Sequence, residues 1–317
     1  MSPLLRFFEA ARHALLDGAK LSLKLYRVVV PLIIVIKILS ELDLIKYLAM
    51  PLAPLMALMG LPEDLGIVWA VGMIVNPYSS LIVFASLLPT MEVLSVAQVS
   101  IFSLILLYAH SLPIECRIAQ QCGLSLTGQL TLRLAVAISS GVGLHLLFTH
   151  TGWFSEPATI LFASDKVDPT LLQWAWGEIV NLVSIFLIIS VLLLVQKGID
   201  YFNITRWLEL VLMPLLRAVG VSNKAASTIL IGMAMGLIYG SGLIIRAAQD
   251  GSMNKRDVFG SITLMGLAHA IIEDTLLLMV AGAHWSIVLV LRSLTAIGVC
   301  AVATRAWARA HPADETA

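Results

Sequence analysis

The chain has 317 residues, and its 20 lysines and arginines balance 20 aspartates and glutamates. Apolar residues make up 59% and charged residues 13%, about half the charged share of soluble domains. That composition excludes a soluble globular enzyme, a disordered chain and a nucleic-acid binder, the last of which needs a basic surface.

A mean hydropathy of +0.93 fits an all-α polytopic membrane protein, because a bilayer leaves backbone groups only one another to bond to. At about 20 residues per span plus short loops, the length allows roughly eight to twelve crossings. Cys116, Cys122 and Cys300 form no disulfide framework, and Cys116 and Cys122 match no common zinc spacing.

In chain order, residues 1–24 predict an amphipathic interfacial helix. Leu4, Phe7, Phe8, Ala11, Leu15 and Leu16 share one side, and Arg6, Arg12, Lys20 and Lys24 the other. Apolar stretches then follow at 28–45, 46–60, 66–89, 96–113, 126–149, 172–196, 204–220, 226–245, 258–283 and 285–305. Two of them, 46–60 and 204–220, are short for a full span. Basic residues place both termini and the 114–123 and 246–256 loops in the cytoplasm of a bacterial inner-membrane protein. They place the 89–95 and 150–170 loops outside. Ten crossings satisfy every assignment; eight spans plus two re-entrant segments at 46–60 and 204–220 are the alternative.

An offset of 160 lines up Lys37 with Lys197, Lys46 with Arg206, Pro54 with Pro214, Gly60 with Gly220 and Gly72 with Gly232. Small shifts then pair Tyr78-Ser79-Ser80 with Tyr239-Gly240-Ser241, His110 with His269, and Glu115 with Glu273. Five crossings per half make the repeats inverted, the architecture of secondary transporters with a midplane site. The expected division is an interfacial helix at 1–24, repeats at 25–150 and 172–305, an external loop at 151–171, and a cytoplasmic tail at 306–317.

Two constellations carry chemistry. Asn76-Pro77-Tyr78-Ser79-Ser80 interrupts an apolar stretch, and Tyr239-Gly240-Ser241-Gly242 loosens its counterpart, so both predict helix breaks that cradle a solute through freed backbone groups. The plainer reading is close helix packing through small residues. The second set is His110 and Glu115 with His269, Glu273 and Asp274. Four residues separate His269 from Glu273, one turn of a helix, whereas Pro113 distorts the first pair. Such groups hold a divalent metal, shuttle a proton, bond a polar solute, or merely pin two helices. Lys37 and Lys197 read as residues near span ends, Arg133 and Arg292 as residues within or at the edges of spans, and Glu178 as interfacial beside Trp174 and Trp176. No zinc-protease or P-loop motif occurs, and a serine repeated in both halves argues against a hydrolase nucleophile.

The segments Pro54 to Pro62, Gly72 to Ser80, Pro214 to Gly220, Gly232 to Gly242 and Ala268 to Asp274 give the chain a resemblance to the Gate, or nucleoside-recognition, membrane proteins. That group includes spore-maturation-type proteins and segments of ferrous iron transporter B. The resemblance implies two gate elements around a translocation path and leaves the cargo open. The expected function is therefore secondary transport of a small polar solute, nucleoside-like or another metabolite. It would need no cofactor beyond a coupling proton or sodium ion, and its partners would be lipids and the solute, with a homodimer left open. A divalent-metal carrier that depends on His110 and His269, or a non-transporting scaffold, are the alternatives.

Overall fold

The computed structural model describes residues 3–42, 47, 50–162, 170–201, 212–214, 216, 222, 225–226, 229–230, 237–249 and 253–310. Helix α1 (Pro3–Glu41) runs unbroken through Pro31, so no separate interfacial helix ends at residue 24. The reason is tertiary contact along its length. Ser22, Leu25, Val29, Ile33 and Ile36 form a buried stripe at helical spacing, directed at α8 (Leu171–Tyr201). The two helices run antiparallel: Asp17 pairs with Lys197 at 3.2 Å, Tyr26 donates to the Leu182 carbonyl, and Lys37 lies 5.7 Å over the Trp174 ring. Lys37 also pairs with Glu41 at 2.5 Å.

The stretch 46–60 contains α2 (Ala53–Leu58), six residues and about 9 Å long, which crosses nothing. The next stretch is not a span either. Helix α3 (Leu65–Ile74) ends at Val75, Asn76 is extended, and α4 (Pro77–Leu87) folds back along α3. Ser80 Oγ donates to the Val68 carbonyl at 2.8 Å, and a Cβ on Gly72 would stand 3.2 Å from that of Ser80. In one continuous helix, residues eight and twelve apart are about 12 and 18 Å apart, so the chain reverses at Asn76. The carboxamide oxygen of Asn76 accepts from Ser79 N at 2.8 Å, and Pro77 fills the first helical position, where no donor is needed.

Helix α5 (Val96–Tyr108) starts with a Ser95–Gln98 capping box and continues in line into α6 (Leu112–Gln121). Helix α7 (Leu126–Thr151) ends at Gly152 in the left-handed region, and the expected break at 151–171 falls there. In the second half come α9 (Leu237–Gln249), α10 (Lys255–Leu267), α11 (Ile271–Val280), a π-helical turn at Ser286–Leu291, and α12 (Arg292–Ala310). Helices α10 and α11 begin and end 159 residues after α5 and α6, the separation of His110 from His269. The predicted break at 239–242 is absent, because α9 passes straight through Gly240-Ser241-Gly242. Glycine costs a helix only about 1 kcal/mol, and this segment has no proline to end it.

Among the described residues, five stretches are long and apolar enough to cross a membrane: 96–121, 126–151, 171–195, 255–280 and 286–310. Helix α1 is longer than any of them. The ten-span count therefore fails where apolar stretches turn back or stay short; much of 204–220 lies outside the described residues. The stretches 96–121 and 255–280 are 83% and 72% buried, against 28–39% for the other three. The broken helices thus form the protein-filled centre, and exposed apolar rows such as Ile179, Val183, Leu187 and Val191 face outward, as lipid contact requires. Glu178 is buried, not interfacial, and accepts from Ser86 Oγ at 2.5 Å.

A Cβ at Gly141 would come within 2.5 Å of Met59 Sδ and 2.9 Å of Ile105, whereas Gly143 meets nothing within 4 Å. Gly141→Leu is expected to cost about 1–3 kcal/mol through overpacking and to lower the thermal midpoint in detergent. Gly143→Leu should leave it in place. Equal midpoints would show that α7 does not rest on α5 through this face.

Candidate functional site

Each central span breaks at a three-residue link. In the first half, Ala109 (φ −130°, ψ 54°) leaves the helix and Ser111 is left-handed at φ 49°. In the second, Ala268 (φ −145°, ψ 67°) leaves and Ala270 is left-handed at φ 44°. Left-handed conformation is uncommon for residues with a Cβ, so two instances at equivalent positions mark a maintained feature. Ser111 ties this break to the hairpin tip: its N–H donates to the Gly72 carbonyl and its hydroxyl to the Val75 carbonyl, both at 3.0 Å. Pro113 causes no distortion, because it sits in the first turn of α6.

The carbonyls freed at each break are taken by an arginine from the last long helix of that half. Arg133 on α7 donates from Nε to Tyr108 O at 2.8 Å and from Nη2 to His110 O at 3.0 Å. Its Nη1 reaches Glu115 Oε2 at 2.5 Å. Arg292 on α12 repeats the pattern, Nε to Leu267 O and Nη2 to His269 O at 3.1 Å each. Its Nη1 lies 3.1 Å from Asp274 Oδ2, close enough for an ion pair but not aligned as a hydrogen bond. A cation at the C-terminal end of one helix and a carboxylate in the first turn of the next both suit the helix dipoles.

The structural partner of Glu115 is thus Asp274, and not Glu273 as the sequence alignment predicts. Nor do His269 and Glu273 share a helical face, because His269 sits in the break at 268–270 and only Glu273 is on α11. Instead the two halves meet through the imidazoles. His110 Nε2 and His269 Nε2 are 3.1 Å apart, and Glu115 Oε1 lies 3.2 Å from the first and 3.5 Å from the second. His110, His269, Glu115 and Asp274 are all buried. Arg133 and Arg292, read from sequence as lying within or at the edges of spans, are 2% and 0% exposed and belong to the same centre. Their matched offset from the histidines, 23 residues in each half, was the signal available for finding them.

Among the other predicted site residues, Tyr78 donates from its hydroxyl to Glu273, a further bond between the halves. Asn76, Pro77, Ser79 and Ser80 form the hairpin tip, with Asn76 and Ser80 bonded to their own hairpin. Ser241 is buried on α9 and Gly242 is exposed, both away from any break; the side-chain positions of Tyr239 and Gly240 lie outside the described residues. A recess beside the cluster is lined by Glu115, Cys116, Gln129, Arg133, Ile262 and Gly266; its cavity of about 10 Å³ has room for about one water.

No family model matches the chain, and no solved structure matches it significantly. Over 302 residues, covering 93% of this chain and 94% of its relative, it is 24% identical to the uncharacterized membrane protein YvoD of Bacillus subtilis strain 168. The chain is a helical membrane protein.

Arg133→Met leaves the Glu115 carboxylate buried and unpaired, and should destabilise the protein by about 3–5 kcal/mol. Adding Glu115→Leu is expected to recover part of that loss. The remainder reports the unbonded Tyr108 and His110 carbonyls. Both changes are read as denaturation midpoints in detergent; a double variant no better than the single one would remove the pair's role.

Proposed function

We propose that the protein is a secondary transporter, carrying a small polar solute across a bacterial inner membrane by alternating access. The observation that carries this reading is the meeting of equivalent residues, His110 and His269, at a buried polar centre between two broken helices. Discontinuous membrane helices meeting near the middle of the bilayer are a recurrent form of transporter site.

Topology supports the same reading. Helix α1, the 96–121 pair and α7 make three crossings in the first half, with the α3–α4 hairpin re-entering between them. Among the described residues the second half repeats the order with α8, the 255–280 pair and α12. Three is odd, so the halves are inverted, and the antiparallel run of α1 against its counterpart α8 is what inversion requires. This count keeps both termini, Arg117 and the 246–256 segment on the cytoplasmic side, as the basic residues ask. The Gate-type resemblance agrees with two symmetric gate elements. Four charged side chains buried at the centre are each expensive in a bilayer and are usually kept there for a function.

In this conformation the recess beside Glu115 has room for about one water, so a solute enters only if one half rocks against the other. Cys116 lines that recess. In a Cys122→Ala/Cys300→Ala protein in membrane vesicles, a membrane-impermeant maleimide is expected to label Cys116 from either face, slowly and in separate experiments. Labelling from one face alone would rule out alternating access at this centre.

A further inference from the structure

We infer that His110, His269 and Glu115, with Asp274 beside them, bind a divalent first-row transition-metal ion. The argument starts with the outer nitrogens. His110 Nδ1 lies 3.0 Å from the Leu107 carbonyl, and His269 Nδ1 lies 2.8 Å from the Met265 carbonyl. A carbonyl only accepts, so each Nδ1 carries the ring proton and each Nε2 presents a lone pair. Those two lone pairs face one another at 3.1 Å, with Glu115 Oε1 at 3.2 and 3.5 Å completing the triangle. Three buried acceptors converge on one point, and a cation is what such a point stabilises.

The dimensions select the kind of cation. A tetrahedral ion with bonds of about 2.0–2.1 Å holds its ligand atoms about 3.3 Å apart, which the three observed separations bracket. Ligand atoms of His110, His269 and Asp274 also lie within 4.8 Å of one another, and Asp274 Oδ2, paired with Arg292 Nη1 at 3.1 Å but without a hydrogen bond, would turn from that pair to serve as a fourth ligand. The supporting contacts are those of a metal centre: backbone carbonyls fix both imidazoles, and Arg133 fixes the second oxygen of Glu115. Two imidazoles with carboxylates suit zinc, ferrous iron or cobalt rather than calcium, magnesium or cuprous copper. Arg133 and Arg292 already balance the two carboxylates, so the bound ion leaves the centre positive. That lowers affinity and suits an ion that is released. Whether it is cargo or coupling ion rests on the transporter reading; its binding does not.

The test uses the full chain in detergent, titrated with Co²⁺ and followed by the visible d–d absorption of tetrahedral cobalt, with Zn²⁺ displacing it. We expect one ion per chain. His110→Asn and His269→Asn should each weaken binding at least about 100-fold, while His284→Asn, on a turn away from the cluster, leaves it unchanged. Binding that persists in both cluster variants overturns the proposal. So does a folded wild-type protein with no cobalt band, which would leave a shared proton between the imidazoles. Uptake of radioactive zinc into proteoliposomes is scored separately, and its absence with binding intact counts against the transporter reading alone.

Discussion

Everything at the centre of this molecule depends on how a broken helix inside a membrane satisfies its own backbone. Interrupting α5 and α10 frees carbonyl groups where no water is available, and each uncompensated group costs several kcal/mol. One arginine per half resolves the problem. Its Nε and Nη2 take the last helical carbonyl and the carbonyl of the histidine, and its Nη1 faces the carboxylate that opens the next helix. Lysine has no planar fork with which to do all three at once. The arginine in turn needs the carboxylate, because a buried guanidinium without a counter-charge would be expelled. Break, arginine and acid therefore form one unit, present twice.

That unit also explains where the histidines point. With the backbone of His110 and His269 held by the arginines and their Nδ1 atoms held by the preceding turn, neither ring has freedom to turn outward. Their Nε2 atoms are delivered to one place. The hairpin tip supports the first break through Ser111, so its freed carbonyls are engaged within the protein rather than offered to a solute. The polar groups left facing one another are side chains, and they come from both halves.

Much of this was legible in the sequence, and the failures have physical causes. Composition gave the membrane class, and the His110–His269 coincidence marked the matching helix pairs α5–α6 and α10–α11. The break at Asn76-Pro77 was visible because proline removes a donor. The break at 109–111 was signalled only by Pro113, read as a distortion of the His110–Glu115 pair, and the break at 268–270 carried no signal: alanine and histidine end no helix, and the freed carbonyls are bonded by arginines far along the chain, at 133 and 292. Hydropathy cannot separate a hairpin from a span, since both are apolar throughout, and that turned two helices of ordinary length into an excess of crossings. Pairing Glu115 with Glu273 matched letters; the structure matches the position in the first turn and chooses Asp274.

The two copies of the unit are alike in bonding but not in grip. Arg133 holds Glu115 in a short, aligned bond, while Arg292 and Asp274 approach without alignment and each is left with an unbonded polar atom. Glu115, the gripped acid, is also the one that touches both imidazoles. Under the transporter reading the two halves are inverted copies, and a second conformation exchanges the roles, with Asp274 gripped and turned toward the histidines and Glu115 released. The exchange moves the acidic side of the centre from one half to the other without breaking either backbone link. Under the transporter reading this exchange is the local event that opens the path to the opposite face.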